Sequence, residues 1–178
     1  MSWKKIESKE IFRTPFFKLS VHKCIITSGK EMPNYYVVDF PHWVQVLAFD
    51  EKNNVIVVDQ YRYPGQGNFW ELPGGTSDPR VEEDHLNAAK RELLEETGYE
   101  SEEWTYVGGH YPNPALQTNQ CHLYIAKNCK KTSELNLDPF EELEVRVMPL
   151  EEFERHLHES DKKHSLMLAS MYLAKAKL

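Results

Sequence analysis

The stretch Arg91-Glu92-Leu93-Leu94-Glu95-Glu96-Thr97-Gly98 constrains this chain more than any other. Leu86, Ala89 and Leu93 fall at i, i+3 and i+7, the spacing of one buried helical stripe. Gly98 stands where such a helix ends, in the C′ position that favours glycine. At about 100° per residue, Glu92 and Glu96 are neighbours on one face, and Glu95 lies beside them. Local stability disfavours this arrangement. Like charges four residues apart cost roughly 0.2–0.5 kcal/mol. Anions in the last turn cost about 0.3–1 kcal/mol more against the helix dipole. Arg91 can reach Glu95 at i,i+4 and offset one carboxylate. A hard divalent cation that prefers oxygen ligands would offset the others. On the helix alone, a solvated acidic face is an equally good reading.

Composition narrows the classes. The chain has 178 residues, enough for one domain with a sizeable core, or one domain plus a small appendage. The formal net charge of −7 argues against a nucleic-acid-binding surface, so an anionic substrate would need local arginines or a bound cation. Three cysteines, Cys24, Cys121 and Cys129, show no C-x-x-C spacing and predict buried thiols in a reducing cytoplasm. The charged start MSWKKIESKE lacks the apolar core of a signal peptide, and no apolar run reaches membrane-spanning length. The expectation is a cytoplasmic protein without membrane partners.

Along the chain, residues 16–26 and 35–40 read as two strands joined by a turn at Ser28-Gly29-Lys30, an N-terminal antiparallel hairpin. A second hairpin pairs 44–49 with 55–58, and Trp70-Glu71-Leu72 is a short strand stopped by Pro73-Gly74-Gly75. After the carboxylate helix, strands are predicted over 105–107, 122–126 and 144–148, and helices over 150–158 and 162–177. Strands with a helix among them, followed by terminal helices, predict a mixed α/β domain.

Glu71-Leu72-Pro73-Gly74-Gly75, then Glu83, then Arg91-Glu92-Leu93-x-Glu95-Glu96-x-Gly98-Tyr99 resembles the Nudix box, the signature of hydrolases that cleave a nucleoside diphosphate linked to another moiety. The match departs from the family pattern at one place. Seven residues separate Gly75 from Glu83 where the pattern has five, so the loop is two residues longer. Asp78 followed by Pro79 would suit an N-cap and the first helical position, starting the helix early. The segment Val57-Val58-Asp59-Gln60-Tyr61-Arg62-Tyr63-Pro64, the N-terminal hairpin and Pro114 resemble the ADP-ribose and nucleotide-sugar pyrophosphatase branch.

That resemblance implies a Nudix fold, an α/β/α sandwich around a mixed sheet, with the antiparallel module at residues 1–40 and the catalytic domain at 41–178. It implies magnesium-dependent hydrolysis of ADP-ribose or a related nucleoside diphosphate sugar, with Mn2+ as a possible substitute. The implied metal residues are Glu92, Glu95 and Glu96, with the Gly74 backbone. Arg62 would contact the diphosphate, since a guanidinium suits paired oxygens. Glu71 would hold a metal or the substrate edge, and Phe17 and Pro114 would line the substrate side. The general base would come from the loop Asp138-Pro139-Phe140-Glu141-Glu142, with Glu141 preferred to Glu142. A homodimer built through the N-terminal module is also implied. Three rivals stay open: a Nudix enzyme for nucleoside triphosphates or dinucleoside polyphosphates, a prenyl diphosphate isomerase, and a catalytically inactive Nudix binding module.

Overall fold

The computed structural model describes residues 2–77 and 83–178, and these fall into two compact units. One holds the chain up to His42 together with Tyr111–Gln120; the other holds Trp43–His110 and Cys121–Leu178.

The first unit is a three-stranded antiparallel sheet: β1 (Lys4–Arg13), β2 (Lys18–Ile25) and β3 (Glu31–Asp39), in that order. The expected hairpin is β2–β3, closed by a turn in which Gly29 takes φ of 83°. β1 is an addition to the sequence reading. Every residue of it is exposed, so it lacks the buried alternation by which a strand is recognised. The unit's second segment is tied to β3, because Val38 N–H donates to Leu116 O at 2.8 Å and Tyr35 Oη donates to Ala115 O at 2.8 Å.

The second unit is an α/β/α sandwich. Its mixed sheet runs β10 (Leu143–Met148), β5 (Val55–Arg62), β4 (Trp43–Asp50), β9 (Cys121–Lys131), β7 (Tyr99–Glu100), with β6 (Gly67–Glu71) on β5 and β8 (Glu103–His110) on β9. The β4–β9 pair is parallel and the rest antiparallel. The central strands read as unbroken apolar runs because both faces are covered. Val44, Val46, Ala48, Ile56 and Ala126 pack with Ala88, Ala89 and Leu93 of α1 (His85–Thr97). The alternate residues Leu47, Phe49, Val55, Val57, Leu123 and Ile125 pack with Phe153 and Leu157 of α2 (Leu150–Glu159) and Met167 and Met171 of α3 (Ser165–Ala174). No helix among the described residues is long and apolar enough to cross a membrane. All three thiols are free and buried, and burial pushes Cys121 up to about 12 and Cys129 to about 11.

Elements the sequence placed are longer or shorter by a few residues, as at β9, which runs beyond Ala126 to Lys131. The proposed cap at Asp78 and Pro79 lies outside the described residues. The helix α1 itself starts at His85, where Asp84 caps it by accepting from Asn87 N–H at 2.8 Å.

Candidate active site

Two features of the second unit fix the carboxylates. The first is the end of α1. Gly98, at φ 74°, closes the helix by donating its N–H to Leu94 O at 2.8 Å, so Glu92 to Glu96 keep helical register to the last turn. The second is the segment after β6, which runs along β4: Val46 N–H donates to Pro73 O at 2.9 Å and Val44 N–H to Gly75 O at 2.8 Å. This backbone pairing aims the Gly74 N–H at α1, where it donates to Glu96 Oε2 at 2.9 Å. Gly74 has no room for a side chain, since a Cβ there would overlap the Val44 carbonyl oxygen and lie 3.0 Å from Gln45 Cα.

The three glutamates sit in graded environments. Glu96 is buried, and that burial holds its carboxyl well above the usual range despite the Gly74 hydrogen bond. Burial likewise pushes Glu92 up to about 7, although Arg91 acts against it. Glu95 is 35% exposed. Arg91 spans the cluster: Nη1 donates to Glu92 Oε1 and Glu95 Oε2, each at 2.9 Å, and Nε donates to Glu83 Oε1 at 3.1 Å. Burial lowers the Arg91 pKa, but the three carboxylates outweigh it and hold it raised.

This donor set fits a hard divalent cation. Three carboxylates offer oxygen ligands, and the guanidinium neutralises the outer two while Glu96, the most buried, accepts from the Gly74 amide. Among the described residues no three acidic, imidazole or thiol groups stand ready-made around one point, and Arg91 is paired with both Glu92 and Glu95.

Arg62 ends β5 opposite Gly67, and Glu71 ends β6 opposite Val58; the two long side chains reach along the antiparallel pair to meet. Arg62 donates in a fork, Nε to Glu71 Oε1 at 2.9 Å and Nη2 to Glu71 Oε2 at 2.6 Å. Glu71 is buried, with a side chain only 6% exposed, whereas that of Arg62 is 44% exposed. One edge of the guanidinium is thus held by protein, which among the described residues leaves the Nη1 edge for an anion. The hydrogen bonds donated to Glu71 raise the Arg62 pKa, and the charges of Glu96 and Glu141 act in the same direction.

Glu141 also contributes to the raised values of both Glu92 and Glu96. The fold therefore brings Arg62, Glu92, Glu96 and Glu141 into one electrostatic field. The Glu141 loop is closed by its N–H donating to Asp138 O at 2.9 Å, and it borders an open depression of about 360 Å3 lined by Gln60, Asp138, Pro139, Phe140 and Glu141. Glu142, next in the chain, is exposed. Phe17 and Pro114 belong to the first unit. Phe17 is half-buried, its ring tilted against Phe40 at 5.5 Å and Phe12 at 6.1 Å, and Pro114 lies in an exposed turn.

Sequence reasoning missed the support behind β6. Buried Asp59 accepts from Asn68 Nδ2 at 3.0 Å, Trp70 Nε1 at 3.1 Å and Arg146 Nε at 3.0 Å. His156 stacks on Trp70 with ring centres 3.8 Å apart. His164 stands beside Glu71, its Nε2 3.7 Å from Oε1. The β5–β6 hairpin supplies Asp59, Asn68 and Trp70 from a short stretch, but nothing local marks Arg146, His156 or His164 as their partners.

The description of a NUDIX domain matches residues 41–169. The chain is 32% identical over 161 residues to the methanol dehydrogenase activator of Bacillus methanolicus, covering 88% of this chain and 83% of that protein. It is 30% identical over 150 residues to the ADP-ribose pyrophosphatase of Bacillus subtilis, covering 84% and 80%. A solved structure of an ADP compounds hydrolase superposes with a TM-score of 0.84 at 18% identity, over 100% of this chain and 95% of that one, which shows the shared fold. The chain belongs to the NUDIX domain family.

Proposed function

We propose that this chain, a Nudix pyrophosphatase, hydrolyses the diphosphate bond of ADP-ribose or a closely related nucleoside diphosphate sugar with Mg2+ as cofactor and Mn2+ as a substitute. The observation that carries the reading is the carboxylate cluster of α1, tied to Gly74 and Arg91, together with the Arg62–Glu71 fork, within the family-matched segment. The similarity to a named ADP-ribose pyrophosphatase across 84% of the chain supports the substrate class.

Glu92, Glu95 and Glu96 would hold the divalent cation. When bound, such an ion neutralises phosphate charge and makes a water more acidic. The free edge of Arg62 takes non-bridging oxygens of the diphosphate, and Glu71 keeps the guanidinium in place for it. Glu141 accepts a proton as a water oxygen bonds to one phosphorus. The bridging P–O bond breaks, and its electron pair leaves with the other phosphate. From ADP-ribose the products are AMP and ribose 5-phosphate. Glu142 is the second choice as base, and Phe17 and Pro114 belong to the proposed substrate surface.

The deciding assay incubates a panel of nucleotide sugars and nucleoside triphosphates with Mg2+ and separates products by chromatography. ADP-ribose is expected to give AMP and ribose 5-phosphate, with Glu141→Gln slowing turnover at little cost in KM. Consumption of triphosphates with the sugars intact would overturn the substrate class. Full activity in Glu141→Gln would move the base elsewhere.

The proposal includes a homodimer built on the first unit. Trp3, Ile6, Ile11, Phe12, Phe16 and Tyr36 are 46–76% exposed there. This much apolar surface on a three-stranded sheet suits an obligate interface between two copies. Light scattering at micromolar concentration is expected to give twice the mass of 20.9 kDa. A monomer with full activity would remove the dimer from the proposal.

A further inference from the structure

The Arg62–Glu71 fork depends on a carboxylate that is almost wholly buried. A buried charge needs more than one partner to keep a fixed orientation, because each oxygen has lone pairs to satisfy. The second group at Glu71 comes from the connection between α2 and α3. His164 caps α3, its Nδ1 accepting from Leu166 N–H at 3.3 Å. An accepting Nδ1 fixes the tautomer, so in the neutral ring the proton is on Nε2. That Nε2 is the atom 3.7 Å from Glu71 Oε1. The distance is too long for a direct hydrogen bond and sets an N–H dipole beside the carboxylate. The ring is held from the side by Phe69, edge to face at 5.6 Å. From the same connection Lys162 Nζ donates to the carbonyls of Gly65 and Gln66, in the turn between β5 and β6. Both ends of the hairpin that carries Arg62 and Glu71 are thus braced by one short segment.

We infer that His164 is a positioning residue for the diphosphate-binding arginine, acting through Glu71. The inference rests on the proposed role of Arg62. His164 touches neither substrate nor reacting atoms. It limits the orientations of Glu71 and, through the fork, those of the Arg62 guanidinium. A guanidinium that grips the diphosphate in ground state and transition state alike affects KM and leaves kcat nearly unchanged.

The two ring nitrogens can be tested separately. Asparagine places its side-chain oxygen where Nδ1 lies, so H164N keeps the cap and loses the group facing Glu71. Glutamine reaches as far as Nε2, so H164Q keeps an N–H donor toward Glu71 and weakens the cap. With ADP-ribose and Mg2+, H164N is expected to raise KM about three- to tenfold, the scale of one polar partner. Its kcat should stay within about twofold and its thermal midpoint near that of the unchanged chain. H164Q is expected to show nearly normal KM and a midpoint lower by about 2–4 °C, the usual result of a weakened cap. In an E71Q background, H164N should add nothing to KM. A purely structural histidine predicts the reverse order, with activity following the thermal midpoint in both variants, and that result overturns the inference. R62A is measured alongside. Normal KM in R62A means the Arg62 role has failed. Raised KM in R62A with normal KM in H164N means the positioning role has failed while the Arg62 role stands.

Discussion

Glu96→Gln is expected to lower kcat roughly 100-fold to 1000-fold, the scale on which one preorganised electrostatic partner acts in a transition state. The substitution is almost isosteric. The amide oxygen can still accept from Gly74 N–H, now at 2.9 Å from Oε2, and glutamine is as good a helix former as glutamate. What disappears is the charge. In the chain without metal that charge is an expense: Glu96 is buried, its carboxyl is held well above the usual range, and Glu92 and Glu141 add repulsion. Glu96→Gln should therefore raise the thermal midpoint in the presence of a chelator while destroying most of the activity. Addition of Mg2+ should stabilise the unchanged chain more than the variant. Steady-state kinetics and thermal melts with and without metal read both effects. Unchanged kcat would end the metal role of this carboxylate. A lower midpoint in chelator would show that its burial is compensated by partners other than the Gly74 amide.

Substitution of the two adjacent glycines should separate stability from activity. Neither requires a left-handed backbone; what differs is what a methyl group would meet. At Gly74 it meets the main chain of β4 at Val44 and Gln45, which β9 holds in place from the other side. Gly74→Ala is expected to destabilise the protein by about 3 kcal/mol, as overpacking against a fixed core does. That corresponds to a loss of about 6–12 °C in midpoint for a chain of this size. At Gly75 the atoms nearest the methyl group are the far end of Glu92, with Oε1 at 2.5 Å and Cδ at 2.6 Å. The side chain can swing away, so Gly75→Ala should keep its midpoint within about 2 °C while turnover falls by about tenfold or more, since a carboxylate displaced by an ångström loses its alignment. Equal melting losses in the two variants would contradict this account of the loop.

Much of the architecture could be read in the sequence because its signals are local. The stripe Leu86, Ala89, Leu93 and the stop at Gly98 define α1, and helical periodicity alone groups Glu92, Glu95 and Glu96. The Arg91–Glu95 contact expected at i,i+4 is present at 2.9 Å. The apolar runs of β4 and β5 indicated buried strands, but not which residues face α1 and which face α2 and α3, since that depends on both layers being in place. β1 was invisible, because an edge strand exposed at every residue has no pattern beyond ordinary polar chain.

What the sequence by itself determined is the set of groups and their spacing along one helix: three carboxylates in register, an arginine within reach of them, and a glycine that ends the turn. These follow from backbone geometry over a few residues. What only the tertiary structure decided is which groups from distant segments meet them. Pairing of β5 with β6 puts Arg62 and Glu71 on one hairpin, where their side chains reach along the strands to form the fork, with the acid buried. The course of Pro73–Gly75 along β4 aims one amide at Glu96. The loop after β9 brings Glu141 into the field of Glu92 and Glu96, and the α2–α3 connection brings His164 to Glu71. Such contacts arise from packing between layers, where a buried charge takes the nearest compensating group whatever its place in the chain, and local spacing carries no record of that choice.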